Sequence, residues 1–157
     1  MGSGPRSSAE GAAVRYAIDE ATREAIEAHL QRCDVLFVPP LRERLDIASY
    51  AAKIREHATT LEAWSGGELV GLVAAYLNRP EAAEGFVTSV SVEPAFQGSG
   101  IADALMHNCT RRARDRGFER IALEVHASNE RALALYRRNG FVASGAEGGL
   151  SRMTLSL

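Results

Sequence analysis

"VSVEPAFQGSGIADALMHNCTRRARDRGF", Val90 to Phe118, passes from an alternating apolar segment through a glycine-rich turn into an amphipathic helix. Ile101, Leu105, Cys109 and Ala113 recur every four residues, joined by Met106, and give that helix one apolar side. Arg111, Arg112, Arg114 and Arg116 fill the rest of its C-terminal half, where cations suit the helix dipole. Such a face is more often solvated than it is a binding patch. Gly117 suits the C-cap. Upstream, "FVTSVSVEP" (86–94) alternates as a strand, with Phe86, Val90 and Val92 on one face and Val87, Ser89 and Ser91 on the other. Downstream, "RIALEVHA" (120–127) is a second strand, with Ile121, Leu123 and Val125 to one side. Strand, glycine loop, helix, strand is a crossover unit.

Working outward, "VRYAI" (14–18) reads as a strand, and Asp19 as the cap of a helix through Gln31. "FVPP" (37–40) breaks the chain. Leu45, Ile47, Ala51, Ile54 and Ala58 then recur at helical spacing. The Ser65-Gly66-Gly67 turn between β-prone runs predicts a hairpin. Asn129 caps a short helix, "ERALALYRRN", that Gly140 ends, and "FVASGA" and "SRMTLSL" supply two last strands around "EGG". The predicted order is β-α-α-β-β-β-α-β-α-β-β.

A chain of 157 residues suits one domain, taken as 14–157 and preceded by a flexible tail over 1–13. That tail, "MGSGPRSSAEGAA", lacks the apolar core of a secretory signal. A hydrophobic share of 46% and a charged share of 24% are ordinary for a soluble globular chain. The net charge of −2 supplies no global field for nucleic acid or anionic membrane, so neither is an expected partner. No apolar run approaches the ~18–20 residues that span a bilayer. Cys33 and Cys109 are too few for a disulfide framework and suit free thiols in a reducing, cytoplasmic setting. His29 and Cys33, at i and i+4, could begin a metal site, but a second pair at ligand spacing is missing, so no metal is expected.

The glycine turn is the candidate anion site. The first N–H groups of a helix lack internal partners and the dipole adds positive charge, so glycines there can cradle a phosphate. A plain structural turn explains them equally well. Two nucleotide motifs drop out. No Gly-x-x-x-x-Gly-Lys-Ser/Thr run is present, and three residues after Gly100 the chain has Asp103 where the dinucleotide fingerprint needs glycine.

Gln97-Gly98-Ser99-Gly100-Ile101-Ala102 resembles the Gln/Arg-x-x-Gly-x-Gly/Ala signature of the GNAT superfamily of N-acetyltransferases, and "LEVHASNERALALYRRNGF" after it is similar to the motifs that follow in that family. The resemblance is dense over roughly 86–142; residues 14–85 suit the family only in element order. It implies a mixed α/β fold, with a mostly antiparallel sheet of about seven strands, about four helices, and two central strands that splay. It implies acetyl-CoA as cosubstrate, with the pyrophosphate on the amides of Gly98, Ser99, Gly100, Ile101 and Ala102 and with Gln97 at the signature's first position. Val90 and Val92 would pair with the pantetheine as an added strand, and Asn129 would reach the coenzyme as well as cap its helix. Members of the family often dimerise, so a homodimer is compatible with the resemblance.

Acetyl transfer needs a base to free the attacking amine, donors for the oxyanion, and an acid for the departing thiolate. By resemblance the acid is Tyr136, which as an i+3 partner of Leu133 also suits core packing, and the oxyanion donor is the Val92 N–H. Glu124 interrupts "IALEV"; buried in a covered sheet it would have a raised pKa and serve as base, whereas on a rim it would form a salt bridge, for instance with Arg120. His126 is the second candidate base, and Glu93 reads as a loop surface residue. The acceptor pocket is expected from Pro39–Leu41, Tyr50, Lys53, Trp64, Tyr76 and Asn78. A small-molecule amine, such as an amino sugar, is the first expected acceptor and a peptide N-terminus the second. An acyl-CoA sensor would need neither Glu124 nor Tyr136.

Overall fold

The computed structural model describes residues 13–157, so the tail expected over 1–13 lies, Ala13 apart, outside the described residues. Strand β1 (Arg15–Ile18) leads to helices α1 (Arg23–Cys33) and α2 (Ile47–His57). Strands β2 (Thr59–Ser65), β3 (Glu68–Tyr76) and β4 (Glu84–Val92) follow, then α3 (Ile101–Asp115), β5 (Arg120–His126), α4 (Glu130–Arg138), β6 (Val142–Glu147) and β7 (Leu150–Ser156). The element order is the one the sequence predicts. Helix α1 differs at both ends. Asp19 sits in the left-handed region at φ 58° and accepts the Thr60 N–H at 2.9 Å, so it ties β1 to β2 instead of capping. The cap falls to Thr22, whose hydroxyl accepts the Ala25 N–H at 3.1 Å, and the helix runs on to Cys33.

The seven strands form one sheet in the order β1-β2-β3-β4-β5-β7-β6, in which only β4 and β5 run parallel. That pair is hydrogen-bonded over three positions, Glu84↔Arg120, Gly85↔Ile121 and Phe86↔Ala122. Beyond Phe86 the two strands part. At the closed end the Glu84 carboxylate accepts from Arg120 Nε at 3.1 Å and also from Arg152 of β7.

Helices cover both faces. On one face the apolar side of α3 (Ile101, Leu105, Met106, Cys109, Ala113) joins Leu133 and Tyr136 of α4 against Val73, Val87 and Val92. Each fully buried large aliphatic side chain there contributes about 1.5–3 kcal/mol. A Cβ at Gly71 would meet Ile101 Cγ2 at 2.9 Å, so the start of α3 lies directly on β3. On the other face α1 and α2 bury Ile26, Leu30, Ala51 and Ile54 against Leu69, Leu72 and Ala74. Strand β4 corrects the simple alternation expected for it. Its register with β3 skips Thr88, pairing Ala75 with Val87 and Ala74 with Ser89. That bulge moves Val87 to the side of Val90 and Val92 and puts Phe86 on the other side; Ser89 and Ser91 face α1 and α2.

Candidate active site

A cavity of about 690 Å³ opens where β4 and β5 part. It is walled by Val87–Val92 on one side and Leu123–His126 on the other, and reaches the glycine turn, Tyr136, and the segment before α2.

Glycines 98 and 100 take φ values of 82° and 85°, which side-chain-bearing residues rarely adopt, and a Cβ at either would meet no atom within 4 Å. Their role is therefore conformational, and the space beside them is open. The first backbone bond of α3 is Ala104 N–H to Gly100 O at 3.0 Å, so the amides up to Asp103 precede the helix's own hydrogen bonding. Asp103 would oppose an anion here, but Arg138 donates to both its oxygens (2.9 and 3.0 Å) and Asn139 Nδ2 adds a third bond at 2.9 Å. The Arg138 guanidinium holds that carboxyl below the usual range. Ser99 Oγ donates to Phe96 O and braces the turn.

The wall of β4 follows from its pairing. Glu93 N–H bonds Val70 O at 2.9 Å, so by antiparallel alternation the Val92 N–H and C=O point away from β3, into the gap. Gln97 Nε2 donates to Val92 O at 3.2 Å and so ties the end of the strand to the glycine turn, and Gln97 lines the cavity beside Gly98 and Gly100. The Val92 N–H stays directed at the cavity. Asn129 caps α4 by accepting the Ala132 N–H at 3.1 Å.

Tyr136 is buried in the wall of the cavity, its ring 5.9 Å from that of Phe141. Burial, with no charge or hydrogen bond offsetting it, pushes its hydroxyl well above the ordinary tyrosine range, so it carries its proton at neutral pH. Of the two readings of Glu124, a buried carboxylate or a rim residue, the structure shows the rim: it lines the cavity but is exposed, because β4 has diverged and none of the described residues covers it. Arg120 is not its partner, being engaged with Glu84. His126 Nδ1 accepts the Ser128 N–H at 3.2 Å, which places its ring proton on Nε2 and occupies the nitrogen that would act as base.

Behind β4, Leu69 O can only accept, so the Nδ1 of His29 carries the proton (2.9 Å) and Nε2 accepts from Ser91 Oγ at 2.8 Å. Burial lowers this histidine to about 4, keeping it neutral. Its partner in sequence, Cys33, lies 3.7 Å away in the same buried contact. Among the described residues no group of three or more His, Cys, Asp or Glu is placed to hold a metal ion. Glu93 corrects the expectation of a surface residue: it is buried and accepts from Arg32 Nε at 2.7 Å.

Of the expected acceptor-pocket residues, Leu41 and Tyr50 line the cavity. Trp64 does not. It donates to the buried Glu62 at 2.9 Å on β2, two strands away from the gap. Asn78 lines a separate depression beside Arg116, and Lys53 sits 5.6 Å over the Tyr76 ring. Arg44, Thr88 and Ser89 also line the cavity. No sequence signal marks them, since Tyr50 and Thr88 meet only through the fold, with Tyr50 Oη donating to Thr88 O at 2.8 Å.

The model of the acetyltransferase (GNAT) family matches residues 23–141. Over 104 residues the chain is 38% identical to the N-alpha-acetyltransferase RimI of Mycobacterium tuberculosis, covering 66% of this chain and 60% of that protein. It is 39% identical over 70 residues to the mycothiol acetyltransferase of Beutenbergia cavernae, covering 45% of this chain and 24% of that protein. The chain thus spans less than two thirds of the length of either curated relative. The PaiA N-acetyltransferase of Thermoplasma acidophilum, solved in complex with coenzyme A, superposes with a TM-score of 0.70 at 15% identity, covering 91% of this chain and 99% of that one.

Proposed function

The chain belongs to the acetyltransferase (GNAT) family, and from that premise we propose that it moves an acetyl group from acetyl-CoA to the primary amine of a small molecule by direct attack on the thioester. The observation that carries this reading is the parting of β4 from β5 after three paired positions, with the open glycine turn at one end and Glu124 and Tyr136 in the walls. The pyrophosphate would sit on the amides of Gly98 to Ala102, at the positive end of the 15-residue helix α3. The pantetheine would lie along Val90 and Val92 in place of the missing strand pairing.

Glu124 takes a proton from the incoming ammonium, freeing the lone pair that forms the new C–N bond. The Val92 N–H faces the oxygen on which negative charge develops. As the C–S bond breaks, Tyr136 gives its proton to the departing sulfur, and the second proton shed by the nitrogen returns through water to the phenol oxygen. Glu124 lines the cavity and its carboxylate is in no ion pair among the described residues, whereas the Nδ1 of His126 is already occupied by the Ser128 N–H.

A peptide N-terminus is the second reading, favoured by the 38% identity to a protein named N-alpha-acetyltransferase. Release of free thiol from acetyl-CoA, followed across amino sugars, amino acids, polyamines and short peptides, tests both. Release with small amines supports the first reading and release with peptides alone supports the second. No release with any amine overturns acetyl transfer.

A further inference from the structure

The end of β4 that presents the Val92 N–H has a strand along one edge only. Leu72 pairs with Ser91 and Gly71 with Val92, and the Glu93 N–H bonds Val70 O at 2.9 Å, so β3 holds that edge. On the other edge the ladder to β5 ends at Phe86, and the Val92 N–H faces the gap. Behind the sheet, helix α1 carries His29 and Arg32 on one face, one turn apart, and each holds a neighbour of Val92. His29 is fully buried; its Nε2 accepts from Ser91 Oγ at 2.8 Å and its Nδ1 donates to Leu69 O at 2.9 Å. The Cys33 thiol lies 3.7 Å from the same Nε2. Arg32 donates from Nε to the Glu93 carboxylate at 2.7 Å and from Nη2 to the same Leu69 O at 3.0 Å. Residues 91 and 93 are thus tied through their side chains to one helix and one carbonyl of β3, with residue 92 between them. Apolar side chains would serve packing as well here, since a buried ion pair adds little net stability. What the polar contacts add is direction.

We propose that His29 and Arg32 are positioning residues for acetyl transfer: from α1 they hold Ser91 and Glu93, and through them they aim the Val92 N–H at the thioester carbonyl. This rests on the acetyl-transfer reading above, with Val92 as the oxyanion donor. Such a donor acts because it is already in place when charge develops, and a misplacement of about 1 Å can lower a rate about a hundredfold. Pairing with β3 sets the register of Val92 but leaves its peptide free to tilt toward the gap, where no strand meets it. Gln97 steadies the Val92 C=O, not the N–H. Anchoring the residues on either side from behind the sheet removes that tilt. Because the charge on the oxygen appears in the transition state, the contribution belongs to kcat rather than to KM.

The test compares wild type with His29→Leu and Arg32→Met, which fill the space and lose the polar contacts, and with His29→Gln and Arg32→Lys, which keep some of them. Ile26→Val, a buried change on the same helix that touches neither contact, is the control for loosened packing. In the thiol-release assay His29→Leu and Arg32→Met should each lower kcat about tenfold or more, with KM for acetyl-CoA and for the amine within about twofold. His29→Gln and Arg32→Lys should recover part of that loss, and Ile26→Val should stay within about twofold of wild type. An unchanged kcat in His29→Leu and Arg32→Met, a loss carried by KM, or an equal fall in Ile26→Val overturns the positioning role and leaves acetyl transfer standing. NMR reads the same role without turnover. The Val92 amide proton should move downfield when acetyl-CoA replaces coenzyme A, because the thioester carbonyl accepts from it. That shift should vanish in His29→Leu and Arg32→Met, while the amides of the glycine turn respond to the coenzyme as in wild type. An equal shift in wild type and both variants, or none in wild type, overturns the proposal, whatever becomes of the transferase reading.

Discussion

Two carboxylates show how much a residue's neighbours decide. Glu62 is fully buried and accepts from Glu20 N–H, Ala21 N–H, Thr60 Oγ1 and Trp64 Nε1, all of them donors, so this position requires a side chain whose two oxygens accept. Glu62→Gln would turn an NH₂ toward donors and is expected to cost about 3 kcal/mol, read as a lowered denaturant midpoint. Glu124, with a mid-strand pattern that looks much the same in sequence, stands in the open gap. Tyr136→Phe keeps the ring against Phe141 and removes only the proton; kcat should fall about a hundredfold while coenzyme affinity holds within about twofold. An unchanged kcat with a good acceptor would take Tyr136 out of the mechanism. His29 carries a pH dependence. Burial lowers it from 6.5 to about 4, so between those values the unfolded chain binds more protons than the folded one. Stability is therefore fully present above pH 6.5 and declines as the pH falls toward 4, by about 3 kcal/mol. Urea midpoints at pH 7 and pH 5 should separate in wild type and draw together in His29→Gln.

At the scale of elements, the sequence was most legible where a single pattern decides. The four-residue stripe of α3, the Gly66-Gly67 turn and the glycines before α3 all form as their spacing predicts. Strand β4 was misread because a one-residue bulge at Thr88 inverts the faces, and the cause lies in its pairing with β3 rather than in its own residues. The cap of α1 was misplaced because Asp19 serves the sheet instead, through a partner 41 residues away. The site follows the same division. The glycine turn and Tyr136 could be read from motifs, while the meeting of Tyr50 with Thr88 in the cavity wall could not, because the fold alone brings them together. The turn has its own test. Gly100→Glu puts a side chain and a negative charge into open space beside the helix start, at a φ of 85°. Coenzyme affinity should fall by about a hundredfold or more by titration calorimetry, with the circular dichroism of the fold retained. An unaltered dissociation constant would place the phosphates elsewhere.

Across the whole molecule, the sheet consists of two antiparallel blocks, β1–β4 and β5–β7–β6, whose shared ladder is three residue pairs long. Over the rest of that boundary, the backbone groups of Val90 and Val92 have no strand across from them. Acetyl-CoA laid along β4 would act as a keystone between the blocks, and the free energy of binding would become part of the cohesion of the fold. Hydrogen exchange at Val90 and Val92 should slow when the coenzyme is added, and the melting temperature should climb with its concentration well past saturation. A cell short of acetyl-CoA would then hold this protein in its loosest form, so that its lifetime against proteolysis would follow the supply of the coenzyme proposed to bind it.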